Sequence, residues 1–252
     1  MILSARLKKI TDRIDEGETV VDIGTDHGFL PIYLLESGKS PMVIMTDISE
    51  QSLDKARENL MRLPEPARRA GSLRRGDGLD VVAPGEAHTC VIAGMGGNLM
   101  VEILSRDIAK TVSFKKLILQ PRNALSVIRE WLKINGFHIE HEDLVREADR
   151  ICNIITVKFR IEKSKCDSEP KPENKIAKDP YRRKAEFEYP DMLKECENEL
   201  LFEYIQAEIT KHKGIVERIK SGKGDSFNEL PKYREEKAMI ERLKQFRTGE
   251  ID

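Results

Sequence analysis

Short apolar strand patterns alternate with amphipathic helical patterns over the first two thirds of the chain, and this alternation leaves few folds open. The run TVVDI leads to a helix from about His27 to Ser37, MVIMT to a helix from Glu50 to Leu63, and GSLRRGDG holds a short third strand. TCVIA precedes a helix around Leu99 to Ala109, and KKLILQ one from Ala124 to Ile134. Strands and helices of this length in strict alternation predict a parallel sheet with right-handed crossovers. The series ends differently: FHIEHEDLVRE and CNIITVKFRIE are strand patterns with no helix between them, which predicts an antiparallel closing hairpin. The expected class is therefore α/β, a Rossmann-like and mostly parallel sheet with an antiparallel last strand.

Ahead of this unit, Ile2, Leu3, Leu7, Ile10 and Ile14 recur at helical spacing, with Gly17 closing the helix. Behind it, KSKCDSEPKPENKIAKDP is polar and carries three prolines, the signature of a linker over 163–180. From Tyr181 onward two amphipathic runs remain: Leu201, Ile205, Ile209, Val216 and Ile219, then Leu230, Tyr233, Met239, Ile240, Leu243 and Phe246, separated by KSGKGDS. They predict an antiparallel, coiled-coil-like helical pair. The expected organisation is a cofactor-binding domain over 1–162, the linker, and a helical domain over 181–252.

Composition narrows the function. The chain has 252 residues of which 39% are hydrophobic, enough for a substantial core. No run approaches the roughly 18 apolar residues of a membrane span, and MILSARLKKITDRID reads as an amphipathic helix rather than a secretion signal, so a cytoplasmic protein is expected. Cys90, Cys152, Cys166 and Cys196 lie far apart, which predicts reduced thiols and no zinc site. His138 and His141 resemble a small metal motif, but three residues apart on a regular strand they would face opposite sides. No metal is expected. Lys and Arg number 43 against 44 Asp and Glu, so a nucleic-acid interface would have to rest on local clusters such as Arg68, Arg69, Arg74 and Arg75.

In an open parallel sheet, ligands sit beyond the carboxyl ends of the strands. In order, those ends are Asp22-Ile23-Gly24-Thr25-Asp26-His27-Gly28; Asp47-Ile48; Gly76-Asp77-Gly78; Ala93-Gly94-Met95-Gly96-Gly97; and Gln120-Pro121-Arg122. An acid after the second strand suits the two hydroxyls of a ribose, and Asp77 followed by Gly and Leu suits the exocyclic amine of an adenine. The first loop is not G-x-G-x-x-G, and its two acids would repel a pyrophosphate. Carboxylates suit instead a ligand end bearing an ammonium and a sulfonium, which selects S-adenosylmethionine over a nicotinamide dinucleotide.

The segments VVDIGTDHGFLPIYL, LRRGDGLDV, VIAGMGGNLM and LILQPRN resemble the bacterial tRNA adenine-22 N1-methyltransferases. One departure is TDISEQSLDKA after the second strand, where many members carry Gly-Pro. The resemblance implies a class I methyltransferase domain joined to a helical, coiled-coil-like domain that docks tRNA, and methylation of N1 of adenine 22 with the base flipped out. On that reading Asp22, Gly24, Thr25, Asp26, His27, Asp47, Ile48, Gly76, Asp77, Gly78, Ala93 and Gly94 bind S-adenosylmethionine. Asp26, Gly94, Met95 and Gly96 surround the reacting adenine. Alternative readings are a same-fold methyltransferase for a small molecule or protein, a nucleotide-binding regulatory module, and a tail that docks a protein partner. Asp22 could equally cap its loop, and the glycines after the fourth strand could serve packing alone.

Overall fold

The computed structural model describes residues 2–159, 178–196 and 198–246, with the side chains of residues 198 and 223–226 excepted. Residues 163–177 of the expected linker, Cys166 among them, lie outside that set. The chain divides into two compact units, one of residues 1–123 and 131–160, the other of residues 124–130 and 161–252.

The first unit opens with α1 (Ala5–Asp12), capped by the Ser4 hydroxyl, which accepts from the Leu7 N–H. Then come β1 (Val20–Ile23), α2 (Phe29–Glu36), β2 (Val43–Asp47), α3 (Glu50–Met61) and β3 (Gly71–Arg75). They are followed by β4 (Thr89–Met95), α4 (Gly97–Ser105), α5 (Ile108–Ser113), β5 (Lys116–Pro121), α6 (Leu125–Ile134), whose residues up to 130 belong to the second unit, β6 (Phe137–Glu147) and β7 (Arg150–Phe159). The seven strands form one sheet in the order β3-β2-β1-β4-β5-β7-β6. β1 through β5 pair in parallel, while β7 is antiparallel to both β5 and β6.

Every residue of β1 is buried, and Val43, Ile44 and Met45 of β2 and Val91 and Ile92 of β4 are sealed as fully. This is why those strands read as continuous apolar runs. Helices cover the sheet with Ile10, Ile32, Leu34, Leu53 and Met100, each worth roughly 1.5–3 kcal/mol when withdrawn from water. α1 is tied to β6 by a two-pronged ion pair, Arg13 Nε and Nη2 to the Asp143 carboxylate at 2.7 and 2.6 Å.

Four local expectations change. The helix after β1 begins at Phe29 rather than His27, because Gly28 at its N-cap and Asp26 before it both have positive φ. The helix expected from Leu99 to Ala109 is two: Asp107 leaves helical geometry and caps α5 by accepting from the Lys110 N–H at 3.0 Å. The register of β6 against β7 slips between Ile139 and His141, so His138 and His141 oppose Lys158 and Thr156, which share one face. The opposite-face argument therefore fails at this bulge. Among the described residues no three His, Cys, Asp or Glu side chains are grouped to hold a metal. Lastly, Lys116, a charged residue at the start of the apolar run KKLILQ that would be expected at the surface, is 4% exposed and bonds Asp15 at 2.7 Å and Glu18 at 3.3 Å.

From residue 178 on, the described residues of the second unit form three longer helices rather than the expected pair: α7 (Pro180–Glu188), α8 (Asn198–Lys223) and α9 (Pro231–Gln245), with 3₁₀ turns at Asp191–Glu195 and Gly224–Glu229. Pro180 takes the first position of α7 after the Asp179 cap, where its missing N–H costs nothing. Leu201, Ile205, Ile209 and Val216 of α8 and Met239 and Leu243 of α9 are buried as their spacing required. Their core also encloses a polar chain. The Tyr189 hydroxyl lies 2.7 Å from both Glu208 Oε2 and His212 Nε2, and His212 Nδ1 pairs with Glu236. No helix among the described residues is long and apolar enough to cross a membrane.

Candidate functional site

The carboxyl ends of β1, β2, β3 and β4 open into one cleft of about 650 Å³ in the first unit. It brings together Asp22, Gly24, Thr25, Asp26, His27, Asp47, Ile48, Gly76, Asp77, Gly78, Ala93, Gly94 and Met95. Gly96 is not among its lining residues.

Asp22, the penultimate residue of β1, is almost sealed from water, with Oδ2 accepting from the Thr25 hydroxyl at 2.8 Å. Burial raises its carboxyl to about 6; the Thr25 hydrogen bond and Arg6 pull the other way, and nearby Asp47 adds to the rise. The chain then turns sharply. Gly24 has φ +72, and the Gly24 and Thr25 N–H groups both donate to the Thr46 carbonyl, at 2.8 and 3.0 Å. A Cβ on Gly24 would also stand 2.2 Å from the Met95 methyl, which would have to swing aside, but it is the positive φ that calls for glycine here. Asp26 follows in the left-handed region at φ +49, an unusual cost for a non-glycine residue.

Asp47 braces that loop from β2: Oδ2 accepts from the Asp26 N–H at 3.1 Å and Oδ1 from the Ser49 N–H at 2.9 Å. Each oxygen keeps a lone pair for a ligand hydroxyl. Asp77 is held differently, by Arg106 at the end of α4: Nη1 lies 2.6 Å from the Asp77 carboxylate, while Nη2 reaches Glu102 at 2.7 Å.

On the far side, Gly94 has φ +76 at a slip in the β4–β5 register, with open space where a Cβ would stand. Its N–H donates to Gln120 Oε1 at 3.1 Å, and the same oxygen accepts from Arg6 Nη1 at 3.2 Å. Arg6 is anchored in turn on Glu147, through its backbone N–H at 2.9 Å and Nε at 3.3 Å. Gly96 faces Asn123 instead, whose Oδ1 would lie 3.0 Å from a Cβ. Arg122 contributes its backbone N–H, which donates to the Met95 carbonyl at 2.8 Å.

Strand ends alone did not yield Arg6, Phe29, Thr46, Leu99, Glu102, Ile103 or Arg106, which also line the cleft. Arg6 arrives from α1 by tertiary packing. Phe29 and Leu99 carried a signal, being bulky apolar residues at the starts of helices that follow site loops. Thr46 is fully buried, with a hydroxyl that meets no protein partner.

The expected basic cluster is divided, Arg74 being held in a half-buried pair while the others stay at the surface. Arg74 Nη2 and Nη1 lie 2.5 and 2.8 Å from the Glu86 carboxylate, and Nη1 also donates to the Val81 carbonyl at 2.8 Å. Arg68 and Arg69 both pair with Glu65. Arg69 and Arg75 are both exposed, and Arg75 lies 3.8 Å from Glu50.

A family model described as a methyltransferase domain matches residues 3–155. The tRNA (adenine(22)-N(1))-methyltransferase of Bacillus subtilis (strain 168) is 33% identical over 153 residues, which are 61% of this chain and 63% of that relative. The match thus spans just under two thirds of the curated relative's length. Among solved structures, the B. subtilis m1A22 tRNA methyltransferase aligns with a TM-score of 0.79 at 28% identity, over 97% of this chain and 98% of that one. A putative tRNA (m1A22) methyltransferase of Streptococcus pneumoniae, in complex with S-adenosyl-L-methionine, aligns with a TM-score of 0.73 over 97% and 99% at 23% identity. This last likeness is one of fold.

Proposed function

The chain belongs to the methyltransferase-domain family, and on that premise we propose that it methylates N1 of adenine 22 in tRNA with S-adenosylmethionine, in the cytoplasm. The observation that carries the reading is the convergence of Asp22, Asp26, Asp47 and Asp77 on one cleft with no phosphate-binding glycine loop. The donor set fits the cofactor: carboxylates for an ammonium and a ribose, positive-φ turns at Gly24 and Gly94 that leave room for close approach, and the orphaned Thr46 hydroxyl as a further polar contact. The named relatives act at the same base.

Asp22 and Asp26 would face the ammonium end, with Gly24 and Thr25 shaping the turn and His27 at the entrance. Asp47 would take the ribose hydroxyls, Ile48 and Gly78 the faces of the adenine, and Asp77 its amine, with Gly76 and Ala93 closing the floor. Bound there, the cofactor supplies an electrophilic methyl group on a sulfonium whose departure leaves a neutral thioether. N1 of adenine keeps its lone pair at neutral pH, so the protein need not remove a proton to activate it. Its work is alignment, which can lower a barrier by roughly 7–11 kcal/mol. The carbonyls of the Gly94–Met95 turn would hold the exocyclic amine, and Asp26 would offset the positive charge that the base acquires. Gly96, outside the lining, would shape the turn through Asn123. Because N1 lies on the Watson–Crick edge, the base must be unpaired and turned into the cleft.

The helical unit would dock the body of the tRNA, with Lys211, Lys213, Arg218 and Lys220 of α8 as phosphate contacts. Purified protein incubated with methyl-labelled S-adenosylmethionine and unmodified tRNA should yield 1-methyladenosine at position 22. Label on a small molecule or protein instead, or binding without turnover, would defeat the proposal.

A further inference from the structure

Phe29 is out of place for an apolar residue in a core helix. It opens α2, whose Leu30, Pro31, Ile32, Leu34 and Leu35 are all buried, yet it is 45% exposed and lines the cleft. Its ring lies parallel to that of His27, with centroids 5.2 Å apart and planes 5° from coplanar. The pair is fixed from beneath. The His27 carbonyl accepts from Asn59 Nδ2 at 2.9 Å, and the Gly28 turn presses so closely on α3 that a Cβ would stand 3.1 Å from that of Ala56. Leu99, in the first turn of α4, lines the same cleft and is 43% exposed. β1 and β4 are neighbours in the sheet, so the helices that follow them both start at its carboxyl edge and flank the cleft from opposite faces. Two exposed apolar side chains, one from each helix, thus line a cleft that also holds the carboxylates Asp26, Asp47 and Asp77.

We propose that Phe29, backed by His27 and accompanied by Leu99, is the stacking platform for the target adenine. This rests on the functional reading above and names the residue that selects a flat heteroaromatic substrate. The cofactor's own adenine does not need this ring, because the ribose acid Asp47 is followed by Ile48, itself 69% exposed in the same cleft. Phe29 instead follows the loop assigned to the cofactor's charged end, beside which the methyl group must be presented. As the N1 lone pair forms the new N–CH3 bond, the electron pair of the breaking C–S bond leaves with sulfur. No proton moves, and the stacked ring becomes a cation. An aromatic face attracts that cation more strongly than it attracts the neutral base, so Phe29 gains contact energy as the transfer proceeds. An aliphatic side chain of similar size would bury the base without this gain.

The test uses the full chain with Phe29→Leu and Phe29→Tyr. Single-turnover methyl transfer to tRNA at saturating S-adenosylmethionine should fall about tenfold to a hundredfold in the leucine variant, the range of a lost base–aromatic stack. The tyrosine variant should recover most of the loss. Cofactor affinity by calorimetry should stay within about twofold in both. A tRNA transcript carrying 2-aminopurine at position 22 should lose fluorescence on binding the wild type with S-adenosylhomocysteine, and much less on binding the leucine variant. Near-normal turnover and quenching in the leucine variant would overturn the platform. So would a cofactor affinity that drops in step with the rate, since the ring would then belong to the cofactor. A wild type that leaves tRNA unmethylated would defeat the functional reading itself, and the platform with it.

Discussion

Asp22 and Thr25 close a hydrogen bond of 2.8 Å inside the protein, at the point where β1 gives way to the site loop. The bond only partly offsets the burial that raises the Asp22 carboxyl to about 6. Below about pH 4 the group is protonated whether the chain is folded or not. As pH rises the unfolded chain loses its proton first, so stability falls until the folded carboxyl ionises near 6, a loss of roughly 3 kcal/mol. Asp22→Asn, which can still accept from Thr25, should therefore melt at a higher temperature than wild type at pH 7–8, with the gap closing near pH 4. Cofactor affinity in the wild type should rise through about pH 6, and the variant should lack that rise. Thermal melts and calorimetry across this range check both.

Asp47 does two jobs that two substitutions can separate. Asp47→Asn can still accept from Asp26 or Ser49 and should weaken S-adenosylmethionine binding by removing a charge-assisted contact worth about 1.5–3 kcal/mol. Asp47→Ala should also loosen the loop, seen as faster amide exchange at Asp26. Equal affinity of wild type and Asn variant would remove Asp47 from the cofactor.

Gly94 and Gly96 should respond differently to a methyl group. Gly94→Ala meets no atom, but is held at φ +76 and should lose about 1 kcal/mol of stability as well as methyl transfer. Gly96→Ala has an ordinary φ and presses on Asn123 Oδ1, a polar group that must shift by a few tenths of an ångström. It should keep cofactor affinity. Denaturant unfolding and calorimetry distinguish the two.

Charge reversal at neighbouring arginines should separate folding from docking. Arg74→Glu breaks the pair with Glu86 and sets two carboxylates against each other, so the melting temperature should fall. The Arg74 hydrogen bond holds the Glu86 carboxyl at about 2, so the wild type keeps the stability of this pair above the usual glutamate range and loses it as pH falls towards 2. Arg75→Glu should melt like the wild type while weakening tRNA binding and flattening its salt dependence.

Arg129 is 2% exposed, and its Nη1 donates to the Phe187 and Glu188 carbonyls at 2.8 and 2.7 Å, at the end of α7. Arg129→Ala should destabilise the second unit by about 2–4 kcal/mol, since two carbonyls lose a charged donor. A melt that reports α7 to α9, followed by circular dichroism, tests this.

The centre of the sheet was legible because β1, β2, β4 and β5 are buried on both faces over most of their length and so read as unbroken apolar runs. The acids were legible because they stand at the ends of those runs. Arg6 was not, since only packing brings α1 to Gln120. The break at Asp107 hides among residues that tolerate a helix, and the bulge at β6 shifts an alternation that looks regular in sequence. α7 is nine residues long with a strongly polar composition, too short for its periodicity to stand out. Counting arginines misled for a related reason: Glu86, which pairs with Arg74, lies twelve residues along the chain, a distance that charge clustering does not register.

β7 is the last strand to be written and yet fills an interior slot, its Ile155 and Val157 opposite Leu119 and Leu117 of β5. A ribosome that has delivered the chain only as far as β6 has released a strand with no sheet partner, tied only to α1, and left β5 as a bare apolar edge. The sheet can close only once Phe159 has cleared the exit tunnel. Over that interval the nascent chain exposes its most aggregation-prone seam, which makes β5 the segment where a holding chaperone would protect it most.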